Sequence, residues 1–284
     1  MPSDKCFEVC VFGCRIQLDA DSLHAFDLLN SYVFPSLPRT SCGVSGSYGP
    51  PDLAIRIFHA MGRYRLSVNG RPVAAAREAS GLLIEILRVI DDAVLPRLTR
   101  TRAVHAGCVA WNGKALLIPG ITFSGKSSLV AELLRRGATY FSDEYAMIDT
   151  EGRVHPYPRP LLMRTGKLRQ APLLAAQYNA VVGVEPLEVG WILALEYHRD
   201  ASWQIQPISQ SEAVLLLLRN TPHALTAAPE LTSSFQAAVS GARCYMGQRG
   251  EAVECVEKIL ELISTPSIPT APFYAQDYPL AAAL

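Results

Sequence analysis

Eight consecutive residues, Gly120-Ile121-Thr122-Phe123-Ser124-Gly125-Lys126-Ser127, limit what this chain can fold into more than any other stretch. They fit the spacing G-x-x-x-x-G-K-[ST]. Glycines at that spacing let the backbone curl until several N–H groups point inward, which makes a nest for an anion. The flanks agree with the motif. Residues 114–119 (KALLIP) read as a strand directly before the loop, and 128–136 read as a helix directly after it, stopped by Gly137. A strand, a glycine loop and a helix in that order imply an α/β unit, with the positive end of the helix aimed at the loop.

The residue types inside the loop narrow the anion to a polyphosphate. Lys126 supplies charge at β and γ phosphates, and Ser127 offers a hydroxyl to Mg²⁺. ATP and Mg²⁺ are therefore the expected ligands. Gly120, Ile121, Thr122, Phe123, Ser124, Gly125, Lys126, Ser127 and Ser128 would hold the nucleotide, and Ser127 the metal.

Three further features converge on the loop. Asn112-Gly113 lies between two apolar runs, 108–111 and 114–118, which is the strongest short hairpin signal. A two-residue turn pairs 111 with 114, and counting outward sets His105 opposite Gly120, a position for a catalytic helper. After a helix of about ten residues, rising about 15 Å, the strand 139–142 can run back the same distance. It delivers Asp143 and Glu144 to the phosphate end, where a carboxylate could bind Mg²⁺ or accept a proton from an attacking hydroxyl. A hairpin turn at Asp149-Thr150-Glu151-Gly152 would then bring Tyr157 and Arg159 back towards Asp143. Arg159 could touch a phosphate, or lie on a loop set by Pro156, Pro158 and Pro160.

The rest of the chain reads as ordinary globular material. Its 284 residues are 49% hydrophobic and 18% charged, enough for a core. The 26 basic side chains equal the 26 acidic ones, so the bulk charge does not point to nucleic acid. No run is long and apolar enough for a membrane span, the start MPSDKCFEVC lacks a secretory leader, and a cytoplasmic location is expected. Residues 5–18 look like β structure. On a single strand Cys6, Cys10 and Cys14 would share one face as small apolar residues, which is favoured over a metal cluster. A helix is expected over 21–33, capped by Asp21 or Ser22, then a Gly/Ser/Pro loop over 35–51 and strands around Leu53-Ile57 and Tyr64-Val68 ahead of the Asn69-Gly70 turn. The helix 77–95 ends at Pro96, with Asp91 and Asp92 read as a solvated face. Beyond the loop, strands are expected at 189–197, 202–208 and 243–248. Helices are expected at 212–219 behind a capping box (209–212), at 230–240 and at 251–263. This divides the chain into a small α+β part (1–98), a catalytic α/β core (99–265) and an extended, proline-bearing tail (266–284).

His105-Ala106-Gly107, the strand, the loop, the helix and Asp143-Glu144 together resemble the HPr kinase/phosphorylase family. The runs HAGCVAWNGKALLIPGITFSGKSS, FSDEYAMID and HPYPRP look closest to the HPr-kinase-related proteins, some of which modify precursor peptides, including in lasso-peptide pathways. The resemblance covers about residues 100–165, with a weaker echo to 263. It implies a P-loop kinase core of the HPr kinase / phosphoenolpyruvate carboxykinase type. It further implies Asp143 as general base, His105 assisting that carboxylate, Lys126 on the transferred phosphate and Glu144 as the Mg²⁺ ligand. Ser128 stands where HPr kinases usually carry Glu, and the N-terminal third is unlike their regulatory domain, so neither HPr as acceptor nor the reverse phosphorolysis is implied. The expected activity is transfer of the γ-phosphate of ATP to a Ser/Thr hydroxyl of a protein or precursor peptide. A small-molecule hydroxyl kinase and a non-catalytic ATP-sensing module are the alternatives, and a homo-oligomer stays open.

Overall fold

The computed structural model describes residues 5–38, 49–120, 124–164, 170–222 and 228–265. The protein is of mixed α/β class. Most of the 35–51 loop, the 266–284 tail and Ile121, Thr122 and Phe123 lie outside the described residues.

The N-terminal part is a five-stranded sheet carried on two helices. β1 (Lys5–Val11) and β2 (Cys14–Ala20) form a hairpin, where the sequence suggested one run of β structure over 5–18. The turn is Phe12-Gly13, both at positive φ (48° and 86°). Phe is not a turn former, so no sequence signal announced it. The turn also corrects the cysteine reading. Val11 pairs with Cys14, so Cys14 faces the buried side with Val11, opposite to Cys6 and Cys10. Ser22 caps α1 (Leu23–Leu28) by accepting from Ala25 N. β3 (Leu53–Ala60) and β4 (Arg63–Val68) follow, and the Asn69-Gly70 turn leads to β5 (Arg71–Ala76). The strand order is β1-β2-β3-β4-β5. Ile16, Leu18, Ile55, Ile57 and Leu66 point inward onto α1 and α2 (Ala79–Val94), whose Leu83, Ile86, Leu87 and Ile90 face them.

The larger sheet begins with β6 (Thr101–Trp111) and β7 (Lys114–Pro119), joined by Asn112 and Gly113 at φ 48° and 76°. Trp111 pairs with Lys114 and Ala106 with Pro119, as the hairpin count required. α3 (Lys126–Arg135) leads to β8 (Thr139–Ser142), β9 (Tyr145–Asp149) and β10 (Arg153–His155). A two-stranded ribbon that the sequence did not signal, β11 (Leu161–Arg164) with β12 (Gln170–Leu173), comes next. Then follow β13 (Leu187–Tyr197), β14 (Gln204–Pro207), α4 (Gln210–Arg219), α5 (Ala228–Ser240), β15 (Arg243–Arg249) and α6 (Ala252–Ser264). The capping box is formed: Ser209 Oγ accepts from Glu212 N, and the Glu212 carboxylate accepts from Ser209 N.

The strand order is β10-β9-β6-β7-β13-β15-β14, with β8 on β6. β13 runs parallel to both β7 and β15. One face of the sheet buries Val104, Leu117 and Ile192 against α4 and α5, and the other buries Leu116, Ile118 and Leu193 against α3 and α6. These three layers leave the C-terminal ends of β7, β13 and β15 open at one rim, where ligands of such sheets gather.

Candidate functional site

The rim is a cleft of about 450 Å³ bordered by His105, Gly125, Lys126, Ser127, Ser128, Asp143 and Glu144, with Leu162, Met163, Tyr197, Arg249 and Glu251 around it. They come from separate parts of the fold. Gly120 ends β7. Lys126 and Ser127 open α3, behind Gly125 at φ 79°. His105 sits in β6 where its pairing passes from β9 to β7. Asp143 and Glu144 form the turn from β8 to β9.

The distance between α3 and β6 is set by Gly107. A Cβ there would stand 2.7 Å from Val130 Cγ2 and 3.9 Å from Asp143 Oδ1. The bare glycine lets the helix approach and brings Lys126 and Asp143 together. Lys126 is 8% exposed and donates from Nζ to Gly120 O at 2.8 Å. Burial pulls its pKa down, and the neighbouring Asp143 and Glu144 push it back up.

Asp143 is the most perturbed acid of the site. It is 4% exposed. Burial raises its carboxyl to about 7, Glu144 pushes the same way, and Ser127, Lys126 and His105 oppose the rise. Among the described residues Asp143 Oδ1 is buried with no hydrogen-bond partner, and the same holds for Ser124 Oγ. A buried carboxylate oxygen left open towards a cleft is a ligand-ready acceptor.

His105 makes both contacts of a fixed ring. Nδ1 lies 2.9 Å from Gly120 O and Nε2 lies 3.1 Å from Glu144 Oε1. Both partners are acceptors, so they are satisfied together only by a doubly protonated ring or by a proton on Glu144. The expected partner was the Asp143 carboxylate. The ring instead holds Glu144, because β9 places Tyr145 opposite His105 and so sets the adjacent Glu144 beside the ring. Glu144 is 43% exposed at its side chain.

Arg159 is not brought to the cleft. Its guanidinium is 4% exposed and donates to Asp91 Oδ1 at 2.7 Å, to Ser36 O and to the Tyr157 hydroxyl. Asp91 is thus a buried-pair partner and not part of a solvated face, while Asp92 is exposed and pairs with Arg88. The chain does return beside β8, with Tyr157 N donating to Phe141 O, but the Arg159 side chain leaves on the side of α2.

Arg249 occupies the place at the loop instead. It is 2% exposed, donates to Gly125 O at 2.8 Å and Gly250 O at 2.9 Å, and lies over the Tyr197 ring. Burial pulls its guanidinium down, and no carboxylate among the described residues pairs with it. Its contact with the loop spans 124 residues of sequence. The signal available was an Arg at a strand end, directly before a Gly and a helix.

Among the described residues no cluster of three or more His, Cys, Asp or Glu side chains could by itself hold a metal. Two carboxylates and a serine hydroxyl fit Mg²⁺ with a nucleotide, because that ion takes one or two carboxylates and completes its shell with phosphate oxygens and water. No helix among the described residues is long and apolar enough to cross a membrane. No protein-family model matches the chain, and no curated protein matches it significantly.

Proposed function

We propose that this chain is an ATP- and Mg²⁺-dependent kinase that transfers the γ-phosphate to a Ser/Thr hydroxyl of a protein or precursor peptide. The observation that carries the reading is the convergence of Lys126, Ser127 and a buried Asp143, held near neutrality, on one cleft at the mouth of a glycine-rich loop. Phosphoryl transfer asks for positioning and charge compensation more than for covalent chemistry, and these residues supply both.

In the reaction the acceptor oxygen bonds to the γ-phosphorus while the bond from that phosphorus to the β–γ bridging oxygen breaks, leaving ADP. Asp143 takes the hydroxyl proton, for which a carboxyl near 7 is suited at neutral pH. Lys126 meets the β and γ oxygens. His105, anchored on Gly120 O, holds Glu144 in place. Arg249 braces the end of the loop by holding the Gly125 carbonyl. Ser127 and Glu144 would hold Mg²⁺, which when bound neutralises phosphate charge. The shared place of Ser127 and Asp143 in the cleft, with Glu144 held by His105, favours a second division of roles, with Asp143 on the metal side and Glu144 with His105 as the proton acceptor.

The acceptor class rests on the resemblance to HPr-kinase-related proteins. γ-labelled ATP with Mg²⁺ and panels of precursor peptides and hydroxylated metabolites tests it, with Lys126→Ala as the inactive control. Label on a peptide supports the proposal, and label on a metabolite alone makes the chain a small-molecule kinase. ATP binding without transfer to any acceptor refutes the kinase reading in favour of a sensing module. Mg²⁺ titrations of Asp143→Asn and Glu144→Gln separate the two divisions, since only the metal-side variant raises the Mg²⁺ requirement.

A further inference from the structure

The hairpin of β4 and β5 carries an unbalanced charge. Residues 63–77 (RYRLSVNGRPVAAAR) hold four arginines, Arg63, Arg65, Arg71 and Arg77, and no acid, in a chain whose formal charge is zero. All four are exposed and none forms an ion pair among the described residues. The acids of this sheet lie at its other edge: Glu8 on β1, within 3.8 Å of Arg15, and Asp19 on β2, beside Arg56 in register. Glu78 follows Arg77 at the start of α2 and is exposed.

The same hairpin ends the sheet. β5 pairs with β4 alone among the described residues, so the outward backbone groups of Arg71–Ala76, which include no N–H at Pro72, have no strand beside them. An open edge accepts an extended backbone, and alternate side chains of that backbone then meet its neighbours. A peptide matches both features, backbone to backbone and carboxylate to guanidinium.

We propose that the β5 edge binds an extended acidic peptide segment as a sixth strand, with Arg63, Arg65 and Arg71 meeting its carboxylates. The surface is separate from the cleft. Its identification as the holder of an acceptor peptide, away from the reacting hydroxyl, rests on the phosphoryl transfer proposed above, whereas the binding itself does not.

The test uses the full chain without nucleotide or Mg²⁺, and reads fluorescence anisotropy of a labelled alternating Glu-Thr peptide of about 12 residues. Binding should weaken about tenfold or more in Arg63→Gln/Arg65→Gln/Arg71→Gln, the product of three exposed charge pairs, and should fall as salt rises. The same peptide N-methylated at alternate residues keeps its charge and loses strand pairing, so it should bind the unaltered protein at least tenfold more weakly. No binding of the acidic peptide, or binding that ignores either the triple variant or N-methylation, overturns the proposal and leaves the arginines as guards against edge-to-edge association. An oligothymidine or vesicles of anionic lipid binding this surface as tightly as the peptide also overturn it. Because the cleft is not used, label transfer from ATP without peptide capture refutes only this surface. Peptide capture without transfer refutes only the kinase.

Discussion

Asp143→Asn should make the protein more stable at alkaline pH while removing its activity. The substitution keeps shape and removes a charge at a buried position. The carboxyl moves from an ordinary 3.8 to about 7 on folding. Between those values the folded state binds a proton that the unfolded state has released, so stability falls as pH rises through the window and stays low above it. Roughly three pKa units correspond to about 4 kcal/mol, and water entry on unfolding fluctuations trims this to about 2–4 kcal/mol. A chain of this length loses about 0.6 kcal/mol of stability per degree near its Tm, so the variant should melt about 3–7 °C higher at about pH 8.5. At about pH 5 the wild-type group is protonated when folded, and the gap should shrink to roughly a third, since only the stretch between 3.8 and about 5 still counts. Calorimetry in EDTA, without nucleotide, reads both conditions on the same preparations. A variant that melts no higher than wild type at alkaline pH, or a gap that is the same at both pH values, refutes the argument that burial strains this carboxylate. With Asp143 as the base of the proposed transfer, turnover of the wild type should rise with pH through about 7.

His105→Ala should lower single-turnover rate by roughly 10²-fold with little change in Tm, since the ring's hydrogen bonds serve the cleft; a destabilised but fully active variant would make it a packing residue. Gly125→Ala should abolish nucleotide binding in equilibrium dialysis, because φ there is 79° and the added Cβ runs into Arg249 Nη2. Arg159→Leu should cost about 3–5 kcal/mol in urea unfolding by leaving Asp91 unpaired, with ATP affinity unchanged in the folded fraction; lost affinity in that fraction would restore Arg159 to the phosphate site.

How far the sequence could be read depended on the range of the interaction. The Asn112-Gly113 turn is a local device, and from it the pairing of β6 with β7 and the place of His105 follow by counting. The capping box at Ser209 and the helical spacing of Leu83, Ile86 and Ile90 are equally local. The Phe12-Gly13 hairpin was hidden because the turn residue is one that turns seldom use. The Arg159–Asp91 pair joins positions 68 residues apart, and the Arg249 contact a wider span. Nothing in the neighbouring sequence reports either one. His105 was legible in place and not in partner, because the choice between Asp143 and Glu144 is made by the direction of a turn, which composition does not encode.

Gly107 does more than let α3 settle. Slipping β6 by one residue would turn every side chain to the opposite face and carry Ala106 or Cys108 to the spot under Val130. That spot has no room even for a Cβ. A misregistered strand therefore cannot close beneath the helix, and the error shows as a missing layer long before it shows as a missing imidazole. The glycine acts as a gauge. Any copy of the chain whose helix seats on β6 has already passed inspection for the position of His105. A molecule with a displaced histidine is then expected to be an open chain, cut faster in limited proteolysis than the wild type, and not a well-folded one.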